Sequence, residues 1–156
     1  MSGLQRNTDL PEQCATFYIN NQLIGIDIRL VREINRSVAT TPVPHAAATV
    51  RGVINLRGDV LTILDVAARL GLPHADVSCE SRIVIVNWAA ERIGLFVDRV
   101  GDVVRTAGLE LAPPPANLHG WDRRMLVGVC RVDGELLVLL ETDLLLRPES
   151  PALQSA

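Results

Sequence analysis

Two segments limit the folds open to this chain more than any others. Ile83-Val84-Ile85-Val86 and Leu136-Leu137-Val138-Leu139-Leu140 are short and apolar at every position. Side chains alternate between the two faces of a strand, so strands of this kind need cover on both sides. Aromatic residues make up only 3% of the 156-residue chain, so the cover must come mainly from Val, Leu and Ile, which pack well on pleated surfaces. Closed or nearly closed small barrels packed against each other supply that cover and hide strand edges. A hydrophobic content of 48% is ample for one folded domain, or for two small sub-domains sharing a core.

Short strands separated by turn residues dominate the chain. Residues 1–13 read as a flexible lead-in and 148–156 as a frayed tail, which leaves 14–147 as a single domain. Cys14 to Ile19 and Leu23 to Ile28 flank a turn at Asn20-Asn21. Apolar residues at 28, 30, 31 and 34 fit either a short helix or a bent strand. Pro42 and Pro44 impose an extended loop, and His45 to Val50 has room for one helical turn at most. Val53 to Arg57 and Val60 to Leu64 form a hairpin around Gly58-Asp59. Asp65 then caps a helix over Val66 to Leu70, closed by Gly71. Arg82 to Trp88 and Arg92 to Asp98 pair around Ala89-Ala90-Glu91, with Val100 to Thr106 as a third strand of that group. Pro113-Pro114-Pro115 stiffens the next loop. A last hairpin, Arg124 to Val132 with Glu135 to Leu140, turns at Asp133-Gly134 and leads to a short helix over Glu141 to Arg147.

The chain also echoes itself. Arg57-Gly58-Asp59-Val60-Leu61-Thr62-Ile63-Leu64-Asp65 resembles the stretch from Asp133 to Glu141, 76 positions on, and Ile24-Gly25-Ile26 resembles Ile93-Gly94-Leu95, 69 positions on. Two similar β units account for both echoes.

Chemistry is scarce. All 15 basic residues are arginine, which excludes a lysine-dependent phosphate loop, a Schiff base and a catalytic ammonium. A net charge of −3 lacks the basic stripe that nucleic acid requires, and no apolar run approaches a membrane span. Cys14, Cys79 and Cys130 are too far apart for a zinc site and odd in number, as expected of packed or idle thiols. His45, His74 and His119 form no metal-ligand spacing, and no cofactor is expected. Asp27, Asp65, Asp98 and Asp102 fall at strand ends and turns, where capping explains them. The contact candidates are Arg57, at a hairpin tip beside a glycine, and the two tryptophans. Trp88 suits a core or groove wall, and Trp121, after Gly120, suits an exposed anchor.

From Gly25-Ile26-Asp27-Ile28 and Val31-Arg32-Glu33-Ile34 onward the chain resembles a known family. Arg51-Gly52-Val53-Ile54-Asn55-Leu56-Arg57-Gly58 matches that family's most diagnostic stretch. Ile63-Leu64-Asp65, Leu70-Gly71-Leu72, Ile93-Gly94-Leu95 and Val97-Asp98-Arg99-Val100 follow in order. The family is that of CheW-like chemotaxis coupling proteins, and the resemblance covers about residues 14–147.

The resemblance implies a mainly β fold of two five-stranded SH3-like barrels around a shared hydrophobic core, with short helices. It also implies a non-enzymatic, cytoplasmic adaptor recruited to membrane-associated receptor arrays. Its implied partners are the cytoplasmic tip of a methyl-accepting chemoreceptor and the regulatory domain of a CheA-like histidine kinase, with self-association in array rings. Carried over by position, Val31 and Glu33 fall at binding surfaces, and Asn55, Arg57 and Gly58 form the hairpin tip that couples receptor and kinase. Gly52 and Val103 line the receptor groove between sub-domains. Thr62 stands where the family often has proline, and Ala67 where it often has arginine. Service in a parallel pathway controlling pili, surface behaviour or a second messenger stays open at this point. A kinase regulatory module and a small-ligand enzyme have less support, because their motifs are missing.

Overall fold

Four two-residue turns organise the chain. Strands β1 (Gln13–Ile19) and β2 (Gln22–Asp27) join through Asn20-Asn21, and β4 (Val50–Leu56) and β5 (Asp59–Asp65) through Arg57-Gly58. Strands β6 (Arg82–Trp88) and β7 (Glu91–Val97) join through Ala89-Ala90, and β10 (Leu126–Val132) and β11 (Glu135–Leu140) through Asp133-Gly134. All eight turn residues have positive φ. That backbone hand matches the right-handed twist of the flanking strands, which makes two-residue loops workable. The turn expected at Gly58-Asp59 therefore falls one residue earlier, and Arg57 itself takes the left-handed conformation, with φ 51°.

The computed structural model describes residues 10–147 except Ser37 and His119, so the expectations for 1–9, 148–156 and His119 lie outside the described residues. The ambiguous stretch after β2 resolves into both alternatives, a 3-10 turn over Ile28–Leu30 and then β3 (Val31–Asn35). Asp27 starts the turn by accepting from the Arg29 amide. Helix α1 (Val66–Arg69) follows β5, and its cap is Asp65, which accepts from the Ala68 amide. Helix α2 (Thr142–Leu146) follows β11. The single strand expected over Val100 to Thr106 is two short ones, β8 (Arg99–Val100) and β9 (Val104–Arg105). Both pair with β1, not with the β6–β7 group.

The strands form two sheets. Sheet I runs β3-β6-β7-β5-β4, and sheet II runs β10-β11-β2-β1-β8, with β9 also on β1. Each has one parallel pair at its centre. Ile63 pairs with Gly94 in sheet I, and Leu139 with Gly25 in sheet II, which are the registers the two offsets demand. The glycines share one cause. A Cβ on Gly94 would stand 2.3 Å from Ile63 Cδ1, and one on Gly25 would stand 3.3 Å from Leu139 Cδ2. The self-echo is thus architectural: each unit is a hairpin laid parallel against a strand of another hairpin.

Closure is partial. Thr41, in the loop before β4, exchanges two hydrogen bonds of 2.9 Å with Val53, and Ala112 does the same at 2.8 Å with Val129. These isolated bridges occupy equivalent places. Among the described residues, no strand-to-strand ladder joins the edge strands of either sheet. The mainly β architecture is as expected, but the two five-stranded barrels are not: the strands form two open sheets, one of five strands and one of six.

The doubly apolar strands are covered on both faces. Ile83 and Ile85 join Leu61, Ile63 and Phe96 in a core belonging to sheet I. Val84 and Val86 point the other way, into a cluster that also holds Phe17, Ile24, Val138 and Leu140 of sheet II. Leu137 and Leu139 complete a third cluster with Cys14, Leu23 and Cys130. The middle cluster is the shared core, and each fully buried Val, Leu or Ile contributes about 1.5–3 kcal/mol to it. Trp88 and Trp121 both pack half-buried against this cluster, so Trp121 is not the exposed anchor its glycine neighbour suggests.

Candidate partner-binding site

The β4–β5 tip is built by its own sequence. The Asn55 side chain accepts from the Gly58 amide at 3.0 Å and fixes the turn, and Gly58 takes φ 91° with nothing near a Cβ position. Arg57 and Gly58 are exposed. The Arg57 guanidinium makes a two-pronged ion pair with Glu33 on β3, its NH1 donating to Oε1 at 3.5 Å and its NH2 to Oε2. The Arg57 hydrogen bond holds the Glu33 carboxyl below the usual carboxylate range. Because β3 and β4 are opposite edges of sheet I, this pair spans the sheet from edge to edge, so sheet I must curl. Arg92 on β7 pairs with Asp59 beside the tip.

Two bonded pairs, Arg57 with Glu33 and Gly58 with Asn55, therefore bring four of the sequence-derived residues together at the tip. Val31 lies on β3, half-buried, two residues from Glu33. Gly52 is buried, and its φ of 145° and a Cβ position 2.3 Å from the Thr41 carbonyl oxygen give it a structural duty. Val103 lies elsewhere, 55% exposed, in a groove with Thr16, Tyr18, Asp102, Arg105 and Arg131, all belonging to sheet II and its loops. Gly52 does not line that groove.

Sequence reasoning missed two apolar residues, Val60 (68% exposed) and Ile34 (45% exposed). Val60 faces Asn55 across the hairpin, and Ile34 follows Glu33 on β3. Strand alternation held the signal, since the outward positions of β3 are Arg32 and Ile34. The tip thus combines a held guanidinium, carboxylates and the exposed Val60, while Ile34 lies on the other face of β3 from Glu33.

Two sheets around a shared core, one of them ending in an exposed charged tip, define a two-sheet β module. The family model described as "CheW-like domain" matches residues 13–150, and the chain belongs to that family of chemotaxis coupling proteins. It is similar to the "Chemotaxis protein CheW" of Rhizobium meliloti, with 36% identity over 81% of this chain and 82% of the relative. It is also similar to the "Probable chemotaxis protein CheW" of Rhizobium etli, with 35% identity over 83% of each. Among solved structures, the scaffolding protein TtCheW of Thermoanaerobacter tengcongensis matches with a TM-score of 0.74 and 29% identity, over 85% of this chain and 90% of that one. No helix among the described residues is long and apolar enough to cross a membrane.

Proposed function

We propose that the chain is a non-enzymatic scaffold in chemotaxis signalling, coupling methyl-accepting chemoreceptors to a CheA-type histidine kinase. Residues 14–147 are its working unit, each sheet with its bridge serving as an SH3-like barrel. It works in the cytoplasm at membrane-associated receptor arrays. The observation that carries this reading is the Arg57 tip, a guanidinium held in the open by Glu33 on a turn fixed by Asn55. An arginine already ordered by its own protein loses little freedom on docking, and the guanidinium edge that Glu33 leaves open can donate to a partner's carboxylate or carbonyl. Val31, Glu33, Gly52, Asn55, Arg57 and Gly58 form or support one docking surface. Val103 marks a second, an apolar side chain on the sheet II groove suited to the apolar face of a receptor helix.

Co-sedimentation with receptor-bearing membranes and cognate kinase tests this. Arg57→Ala and Val103→Asp are each expected to weaken co-sedimentation by about tenfold, the scale of one lost charged or apolar contact. A wild-type chain that stays in the supernatant, or a double variant that sediments as fully as wild type, defeats the proposal.

A further inference from the structure

The two hairpins at the centre of each sheet correspond through the two offsets, and one difference between them concerns a charged group. In sheet I the bulge residue of β4 is Arg51, between Val50 and Gly52. Its guanidinium lies 3.8 Å from the Phe96 ring centroid and donates to Asp65 Oδ2 at 2.7 Å and to the Ala75 carbonyl at 2.9 Å. Asp65 is fully buried at the start of α1, and its amide donates to the Thr49 carbonyl at 2.8 Å.

In sheet II the bulge residue of β10 is Val127, between Leu126 and Gly128. Glu141 stands at the start of α2, its amide donating to the Met125 carbonyl at 2.6 Å. An offset of 76 relates Arg51 to Val127, Thr49 to Met125 and Asp65 to Glu141, and an offset of 69 relates Phe96 to Asp27 and Ile83 to Cys14. Where sheet I holds its guanidinium, sheet II has a cavity of about 200 Å³ lined by Cys14, Gly25, Asp27, Val127, Leu139 and Glu141. That volume is several times the roughly 30 Å³ share of a water molecule.

The charges at this cavity do not balance. Asp27 is paired with Arg29, which is otherwise in solvent, and the Arg29 hydrogen bonds hold its carboxyl below the usual range. Glu141 is half-buried and makes no side-chain cap bond. Among the described residues it has no ion pair to balance its charge. Burial pushes the Cys14 thiol up to about 11, so it is neutral at physiological pH.

We propose that this cavity binds a guanidinium group, brought by a small guanidino compound or by a partner's arginine side chain, with Glu141 in the role Asp65 plays for Arg51. Guanidinium is the cation that suits such a place. It is planar, weakly hydrated and able to bond a carboxylate through two N–H groups while its faces meet apolar walls. An ammonium is more strongly hydrated and forms no fork. The sheet I site, in the same chain and at the corresponding positions, already holds this group.

Titration of the full chain with methylguanidinium, L-arginine and an acetylated, amidated Gly-Arg-Gly peptide, followed by amide NMR, tests the proposal, with L-lysinamide as control. Saturable shifts at Gly25, Val127 and Glu141 are expected from the guanidinium probes and not from L-lysinamide. Tighter binding of the peptide points to a partner's arginine, and tighter binding of L-arginine or methylguanidinium to a small compound. Glu141→Gln is expected to weaken binding about tenfold. Val127→Arg is expected to fill the cavity from within, abolish binding and raise Tm. No saturable shift from any guanidinium probe, an equal response to L-lysinamide, or unchanged affinity in Glu141→Gln overturns the proposal, whether or not Val127→Arg folds.

Discussion

A Cβ at position 52 would overlap the Thr41 carbonyl oxygen, which belongs to the backbone and has no rotamer to escape into. Gly128, its counterpart, meets the Ala112 carbonyl oxygen at 2.7 Å in the same way. Gly134 shares positive φ with Gly52, though not with Gly128, and has nothing within 4 Å of its Cβ position. Gly52→Ala and Gly128→Ala are therefore expected to lose about 2–4 kcal/mol, and Gly134→Ala about 1 kcal/mol, in urea unfolding. An equal cost at all three positions would contradict the carbonyl contacts as the cause. Sequence and family pattern pointed to position 52 as partner surface. They gave no sign of its carbonyl contact, because Thr41 reaches it through a proline loop whose path no local pattern encodes. Asn55 was likewise legible as part of the tip, but its bond to the Gly58 amide was not.

Helices α1 and α2 are short, and their anchoring crosses between the halves. Arg69 at the end of α1 donates to the Leu144, Leu145 and Arg147 carbonyls at the end of α2. A guanidinium there satisfies carbonyls the helix leaves open and meets the negative end of its dipole. The Asp122 amide donates to the Leu70 carbonyl at 2.7 Å, and Trp88 Nε1 to Asp143 at 3.2 Å. Arg69→Ala is expected to cost about 1–3 kcal/mol and to speed amide exchange in α2 ahead of the strands. Uniform acceleration across both sheets would show that α2 does not open separately. Most strands and the Asp65 cap were legible, because apolar alternation and turn residues are local signals. Strands β8 and β9 join β1 and not the β6–β7 hairpin they follow, since alternation says that a segment is extended and nothing about its neighbour. Ala89-Ala90 carries no turn chemistry, so only the flanking strands mark that hairpin.

Taken as a whole, the molecule is bounded in pH from both sides. Asp27 and Asp122 titrate below the usual carboxylate range because of hydrogen bonds from Arg29 and Arg124. Glu33 is lowered in the same way by Arg57. A lowered folded-state pKa stabilises above the unfolded value, near pH 4, and that contribution fades as pH falls through the folded value. Tm is expected to fall below about pH 4 and, because these pairs are exposed, by less at high salt. At the other end Cys14 is raised from 9.0 to about 11. The unfolded thiol ionises first, so stability is expected to decline between about pH 9 and 11. Cys14→Ala should flatten that slope in alkaline melts, and an unchanged slope would place its origin elsewhere.

The parallel pairing of β11 with β2 has a consequence for biosynthesis. Gln22 donates to the carbonyl of Leu136, 114 positions away, so sheet II joins segments made early and late in translation. Sheet I draws only on residues 31–97 and has all its strands long before β11 leaves the ribosome. Until then β2 carries an open edge beside apolar Leu23 and Ile24, a surface on which nascent chains aggregate and chaperones act. A released chain that ends between residues 97 and 126 holds every strand of sheet I and lacks the β10–β11 hairpin of sheet II.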